Sequence, residues 1–479
     1  MTSDRSSVER LRQYLQSLSL EARATLIAEL ERAMLREEDV VGSELVLAEL
    51  RRTIRSSAQP IPRIGDAGRR FFMPLEPFLV DGPADHKRIG RLARLSLEPI
   101  WEWIGRDLMP AEARALSEDV NRALLSEDRI KVDQLVRALH DRAIQRMKDV
   151  LAGLETNEKA HRRLSVEVGT PRAVDDVKTV LGILAVRDQL SEMACRLPEH
   201  IRVFEREHVD QAKAIIDAVT GQKPLQSNAA VRKDLMLYGL IMVTTRLAAP
   251  WQLIRIATLA AESDDTARIA DSPYAVAVTL VLGEIEYMVG ELRSEIKAGR
   301  PVASLLKGLH DAARGMRTEL DLSVDSACSR RLAAIRGAVS NILTAEIETT
   351  PGRVRRLLRP RPAKEIVSGS SLDAIDVQDA ETRVELVGAC RHYSSELAVS
   401  EVTQRTYSEL AQYLETGAKI LVDALRHADN AERPFRRSQV DAAVRFCGTV
   451  FGLDYAGLLT KAAEVAVQAA PPERRPLHA

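Results

Sequence analysis

An all-α chain is predicted by three properties of this 479-residue sequence. Apolar residues recur at the 3.6-residue spacing of an amphipathic helix almost throughout, while sustained alternation with period two is nearly absent. Aromatic residues, which strands favour, make up only 4%. Helix-start signals recur: Thr170-Pro171, Ser272-Pro273 and Thr350-Pro351 each place a capping hydroxyl before a proline. The hydroxyl satisfies an orphan amide, and proline's missing N–H is not needed in a first turn. The expected architecture is an irregular multi-helix array with a smaller C-terminal helical bundle.

Residues 1–56 read as an N-terminal helical hairpin with an extension. Val8, Leu11, Leu15 and Leu18 stripe a first helix, Leu26, Leu30 and Ala33 a second, and Leu47, Leu50 and Ile54 a third. Residues 57–88 break the pattern with Pro60, Pro62, Pro74, Pro77 and Pro83. That segment is a linker or a docked strap. Phe71, Phe72, Phe78 and Leu79 favour the strap, because a free linker would leave that apolar area in water.

The main helical domain is expected over 89–348, with helices near 111–125, 127–165, 172–196, 199–220, 228–248, 251–262, 273–299, 302–321 and 324–347. Trp101 and Trp103 lie two apart and cannot share a helix face; one belongs in the core and the other against the strap or at an interface. Residues 349–378 form the clearest boundary: GRVRRLLRPRPAK holds six cations and no acid, and a Ser-containing, acidic stretch follows it. A C-terminal bundle is expected over 379–469. Tyr407, Leu410, Leu414, Ala418, Leu421 and Leu425 stripe its long helix, and shorter helices follow near 437–451 and 453–469. Residues 470–479 read as a disordered tail. No repeat with a period of about 33–47 residues is evident.

Hydrophobic residues at 45% and charged residues at 29% describe a soluble globular protein. Formal net charge is −1, from 68 Lys plus Arg against 69 Asp plus Glu, so a nucleic-acid partner is not expected. Only 13 of those cations are Lys, a bias typical of GC-rich bacterial coding sequence. The N-terminus MTSDRSSVERLRQYLQ lacks the apolar run of a secretory signal. The longest apolar stretch, Leu235 to Thr245, falls short of the ~20 residues a transmembrane helix needs. Cys195, Cys328, Cys390 and Cys447 form no close pair, and the last three extend apolar helix stripes, as reduced core thiols do. A cytoplasmic location is expected.

No phosphate loop, dinucleotide fingerprint, HExxH or GxSxG element occurs. Two Glu-x-x-His elements do: Glu158/His161 and Glu205/His208. At that spacing a carboxylate and an imidazole share one helix face, the ligand arrangement of di-iron four-helix bundles. The plainer reading is polar residues at helix ends, since nine histidines in a Glu-rich chain produce such spacing by accident. The dipeptides His140-Asp141 and His310-Asp311 are similar to the pair that helical HD-type phosphohydrolases use for divalent metal, over two residues each time.

Arg353, Arg355, Arg356, Arg359 and Arg361 are candidate anion ligands for a phosphate or a peripheral anionic surface. The plainer reading is a linker whose charge is answered by Glu365, Asp373, Asp376, Asp379 and Glu381. These readings point to a cytoplasmic scaffold or protein-interaction protein without catalytic activity, binding a protein partner or itself, with no cofactor. The alternative is a helical metalloenzyme, di-iron carboxylate or HD-type phosphohydrolase-like.

Overall fold

The computed structural model describes residues 64–81, 88–126, 128–154, 157–221, 229–322, 326–367 and 370–468, with scattered positions between 15 and 50. The expected tail over 470–479, the first residues of the strap and most of the N-terminal hairpin lie outside the described residues. Among described positions of the hairpin, Leu15, Ala33, Leu47 and Leu50 are helical and buried, in keeping with their stripes.

The described residues hold eighteen α-helices and one two-stranded sheet. They divide into two compact units. The first comprises residues 1–263 and 268–283, the second 264–267 and 284–479. The division therefore falls inside a helix near residue 283 and not at the Arg-rich segment, where composition shifts.

The first unit opens on the strap, and the apolar residues explain why it docks. Helix α1 (Asp66–Phe72) runs into a 3-10 turn over Met73–Phe78. Phe71, Phe72, Leu75 and Phe78 are buried, each worth about 2–3 kcal/mol of removed apolar surface. Strand β1 (Leu79–Val80) then pairs in parallel with β2 (Leu92–Ala93). Arg94 grips the buried Glu76 carboxylate through two nitrogens, at 2.6 and 3.1 Å. Helix α2 (Leu97–Trp103) follows. Trp103 is buried in the core, while Trp101 lies against Phe71 and Phe72 at ring distances of 5.4 and 6.0 Å.

Helices α3 (Pro110–Leu125), α4 (Arg129–Leu154) and α5 (Glu158–Val168) come next. The single helix expected over 127–165 is thus two. Asn157 ends the continuity: its side chain accepts from the amides of Lys159 and Ala160, capping α5, and Gly169 closes that helix at φ +74°. The helix expected over 172–196 is likewise two, α6 (Ala173–Ala185) and α7 (Arg187–Arg196), separated at Val186.

Helix α8 (Arg206–Thr220) begins seven residues later than the expected 199. The intervening chain has other partners. Ile201 N–H donates to the Arg246 carbonyl at 2.7 Å, and Ala248 N–H donates to the Ile201 carbonyl at 2.9 Å. Buried Phe204 donates its amide to Gln252 Oε1 at 2.8 Å and accepts Arg255 Nη1 at 2.9 Å. Helices α9 (Ala229–Arg246), α10 (Ile254–Ala261) and the short α11 (Thr266–Ala270) lead into α12 (Ala275–Lys297), which crosses the division.

The second unit contains the rest of α12, α13 (Ala303–Glu319), α14 (Ala327–Leu358), α15 (Ala374–Leu397), α16 (Ser400–Arg426), α17 (Arg433–Phe451) and α18 (Leu453–Gln468). Helix α14 packs on α15 and α16, and α16 and α17 pack on α18. The Thr350-Pro351 start signal does not start a helix. Helix α14 runs through it for 32 residues, about 48 Å. Proline has no N–H to give the carbonyl one turn back. Thr350, fully buried, turns its hydroxyl to the Glu346 carbonyl at 2.9 Å instead of capping forward. Residues 349–358, expected as the start of a linker, are therefore the last turns of a packed helix.

Candidate functional site

The residues singled out for metal chemistry sit on α5 and at the start of α8. Glu158 opens α5 with its side chain 80% exposed and accepts Arg162 Nη2 at 2.7 Å. His161 is exposed on the same helix. Glu205, also exposed, is the N-cap residue of α8, and His208 is half-buried in its first turn. Among the described residues, no group of three or more His, Cys, Asp and Glu is arranged to hold a metal ion.

The first His-Asp dipeptide points its two members to different tasks, whereas the members of the second meet each other. His140 is buried in α4, and its Nε2 lies 2.7 Å from the Phe71 carbonyl. Burial lowers its pKa to about 4, so the imidazole is neutral and Nε2–H is the donor that ties α4 to α1. Asp141 faces outward and accepts Arg187 Nη2 at 2.7 Å. In the second unit, His310 Nδ1 lies 3.2 Å from Asp311 Oδ1, and its ring lies 5.3 Å from that of Tyr393. Lys307 Nζ also reaches Asp311 at 3.2 Å.

The arginine cluster is internally answered. Arg353 Nη1 donates to Asp379 at 2.5 Å, and Arg355 Nη2 donates to Glu409 at 2.5 Å. Arg356 lies 3.5 Å from Asp376 and Arg359 lies 3.8 Å from Glu365. Arg361 spreads over the Phe435 ring at 5.0 Å. Of the five acids expected to answer the cluster, three do so. Asp373 instead caps α15 and Glu381 pairs with Arg445. The pairs of Arg353, Arg355 and Arg356 join α14 to α15 and α16, so these three arginines brace one body.

Arg383 of α15 lies at the centre of this bracing. Its side chain, 13% exposed, pairs with Glu346 of α14 and reaches Asp379 at 3.2 Å. Beyond the end of α14, helix α17 holds the chain down. Gln439 Nε2 donates to the carbonyls of Leu357 and Arg359, each at 3.0 Å. Arg436 Nη2 donates to the Arg361 carbonyl at 2.5 Å, and Leu372 N–H donates to Ser438 Oγ at 3.0 Å. Gln439 supplies donors that the last turn of a helix lacks.

Two other polar groupings had little sequence signal. In the first unit, Tyr274 OH donates to Asp217 Oδ1 at 2.7 Å, while Lys213 Nζ takes the other oxygen at 2.7 Å. Burial, then the Asp217 hydrogen bond, raises the Tyr274 pKa, so the phenol stays protonated. The i,i+4 spacing of Lys213 and Asp217 was readable; Tyr274, 57 residues away from Asp217, was not. Asp176, buried in the first turns of α6, has the hydroxyls of Thr170 and Ser96 beside it. Burial raises its pKa above the ordinary 3.8.

A pH dependence follows. A folded-state pKa above the unfolded one contributes stability that is present at acid pH and is lost as pH rises through the folded value. Asp176→Asn keeps the size of the side chain and removes the titration. Urea unfolding from pH 4 to pH 7 is expected to show the variant gaining on the parent as pH rises. A pH-independent difference would contradict this assignment.

The thiols divide by depth. Burial pushes Cys390 and Cys447 up to about 12, so neither forms a thiolate at neutral pH. Cys328 is half-buried, and Cys195, which extends no apolar stripe, is exposed. Two cavities in the second unit offer about 10 Å³ each, room for one water. Leu309, Leu332, Val339 and Leu397 wall one; Ile296, Val302, Thr382 and Arg383 wall the other.

Helix α18 differs from its neighbours in what it leaves uncovered. Ala456, Leu459, Ala463 and Ala466 are buried on one face. On the adjoining face, Leu458 is 67% and Val465 61% exposed, two turns apart, with Ala462 half-buried between them. Leu453 at the helix start is 85% exposed. The apolar arc of α18 is thus wider than the surface it buries, whereas an ordinary surface helix turns polar residues outward. Among the described residues, no helix is long and apolar enough to cross a membrane. Comparison with protein-family models, curated proteins and solved structures finds no match to this chain.

Proposed function

We propose that this chain is a helical protein-interaction protein, and that α18 presents the surface on which a protein partner docks. The observation that carries this reading is the uncovered apolar stripe of Leu458, Ala462 and Val465. Spacings of i, i+4 and i+7 are the anchors by which helices lie in grooves or against other helices. Exposed apolar groups gathered on one helix mark contact surfaces more often than scattered single ones do. The rest of the polar inventory supports the same reading. Several largely buried polar side chains join helices: His140 to Phe71, Arg383 to Glu346, Gln439 to the end of α14.

The double variant Leu458→Glu/Val465→Glu tests it. Both positions are exposed, so unfolding free energy is expected to stay within about 0.5–1 kcal/mol of the parent. Affinity capture from cell extract, with parent and variant as matched baits, is expected to lose proteins that the parent retains. A variant that unfolds several degrees earlier shows the stripe to be part of the core. A folded variant with an unchanged set of captured proteins removes α18 as the contact.

A further inference from the structure

We draw no further inference here: the strongest candidate outside the α18 surface already described, the buried Ser96, Thr170 and Asp176 cluster at the start of α6, rests on the raised pKa of one carboxyl, with nothing in the structure pointing to a ligand for it.

Discussion

Replacing Gln439 by leucine is expected to lower the unfolding free energy by about 2–4 kcal/mol. The side chain is fully buried, and its amide nitrogen supplies donors to two carbonyls at the end of α14. A buried carbonyl left without a donor loses about 1–3 kcal/mol. The Arg359 carbonyl is only partly buried and recovers some of that from water. Leucine offers similar bulk, so the loss reports on hydrogen bonding more than on a cavity.

Gln439→Glu separates these causes. Its carboxylate would face two carbonyl oxygens with no proton to give, and burial would raise its pKa above the usual ~4.3. Stability is then retained below the unfolded pKa and lost as pH rises through the folded one. Urea unfolding at pH 7 and pH 4 is expected to show the glutamate variant recovering at acid pH relative to the leucine variant. Equal behaviour at both pH values would show that Gln439 does not act through donation.

Arg383→Met is expected to destabilise by about 2–3 kcal/mol, between the value of an exposed pair and that of a fully buried one. Methionine keeps the apolar stem in place but leaves Glu346, 27% exposed, without its partner. Asp379 is affected less, because Arg353 still reaches it at 2.5 Å. The companion change Glu346→Leu is expected to restore more than half of the loss. A double-mutant cycle measures this as a coupling of about 1 kcal/mol or more. Additive effects would mean that the two groups do not share an interaction.

The fold class was legible because helical periodicity is written into nearly every segment and does not depend on distant partners. Boundaries were less so. Thr350-Pro351 has the composition of a helix start, yet α14 passes through it because Thr350 bonds backward to Glu346 and the helix is packed against α15 and α16. Proline's local penalty of roughly 3 kcal/mol is smaller than the packing that opposes it. The arginine cluster was half legible. Asp376 and Asp379 are close in sequence to Arg356 and Arg353, but Glu409, the partner of Arg355, lies 54 residues away.

Gln439 carries a signal in its position. It falls in a stripe with Phe435, Ala443, Phe446 and Val450, all buried, and a polar residue at such a position requires buried partners. Helix α18 shows the converse. Its apolar positions resemble those of any core helix, and only the packed structure reveals that one face is left open.

The arginines of α14 tie it to α15 and α16, while α18 turns an apolar stripe outward. The most direct test sets two folded variants against the parent for both stability and partner capture. Arg353→Gln/Arg355→Gln/Arg356→Gln is predicted to unfold earlier and still retain the captured proteins. Leu458→Glu/Val465→Glu is predicted to unfold with the parent and release them. The opposite pattern, with capture lost from the arginine variant at unchanged stability, would contradict the account.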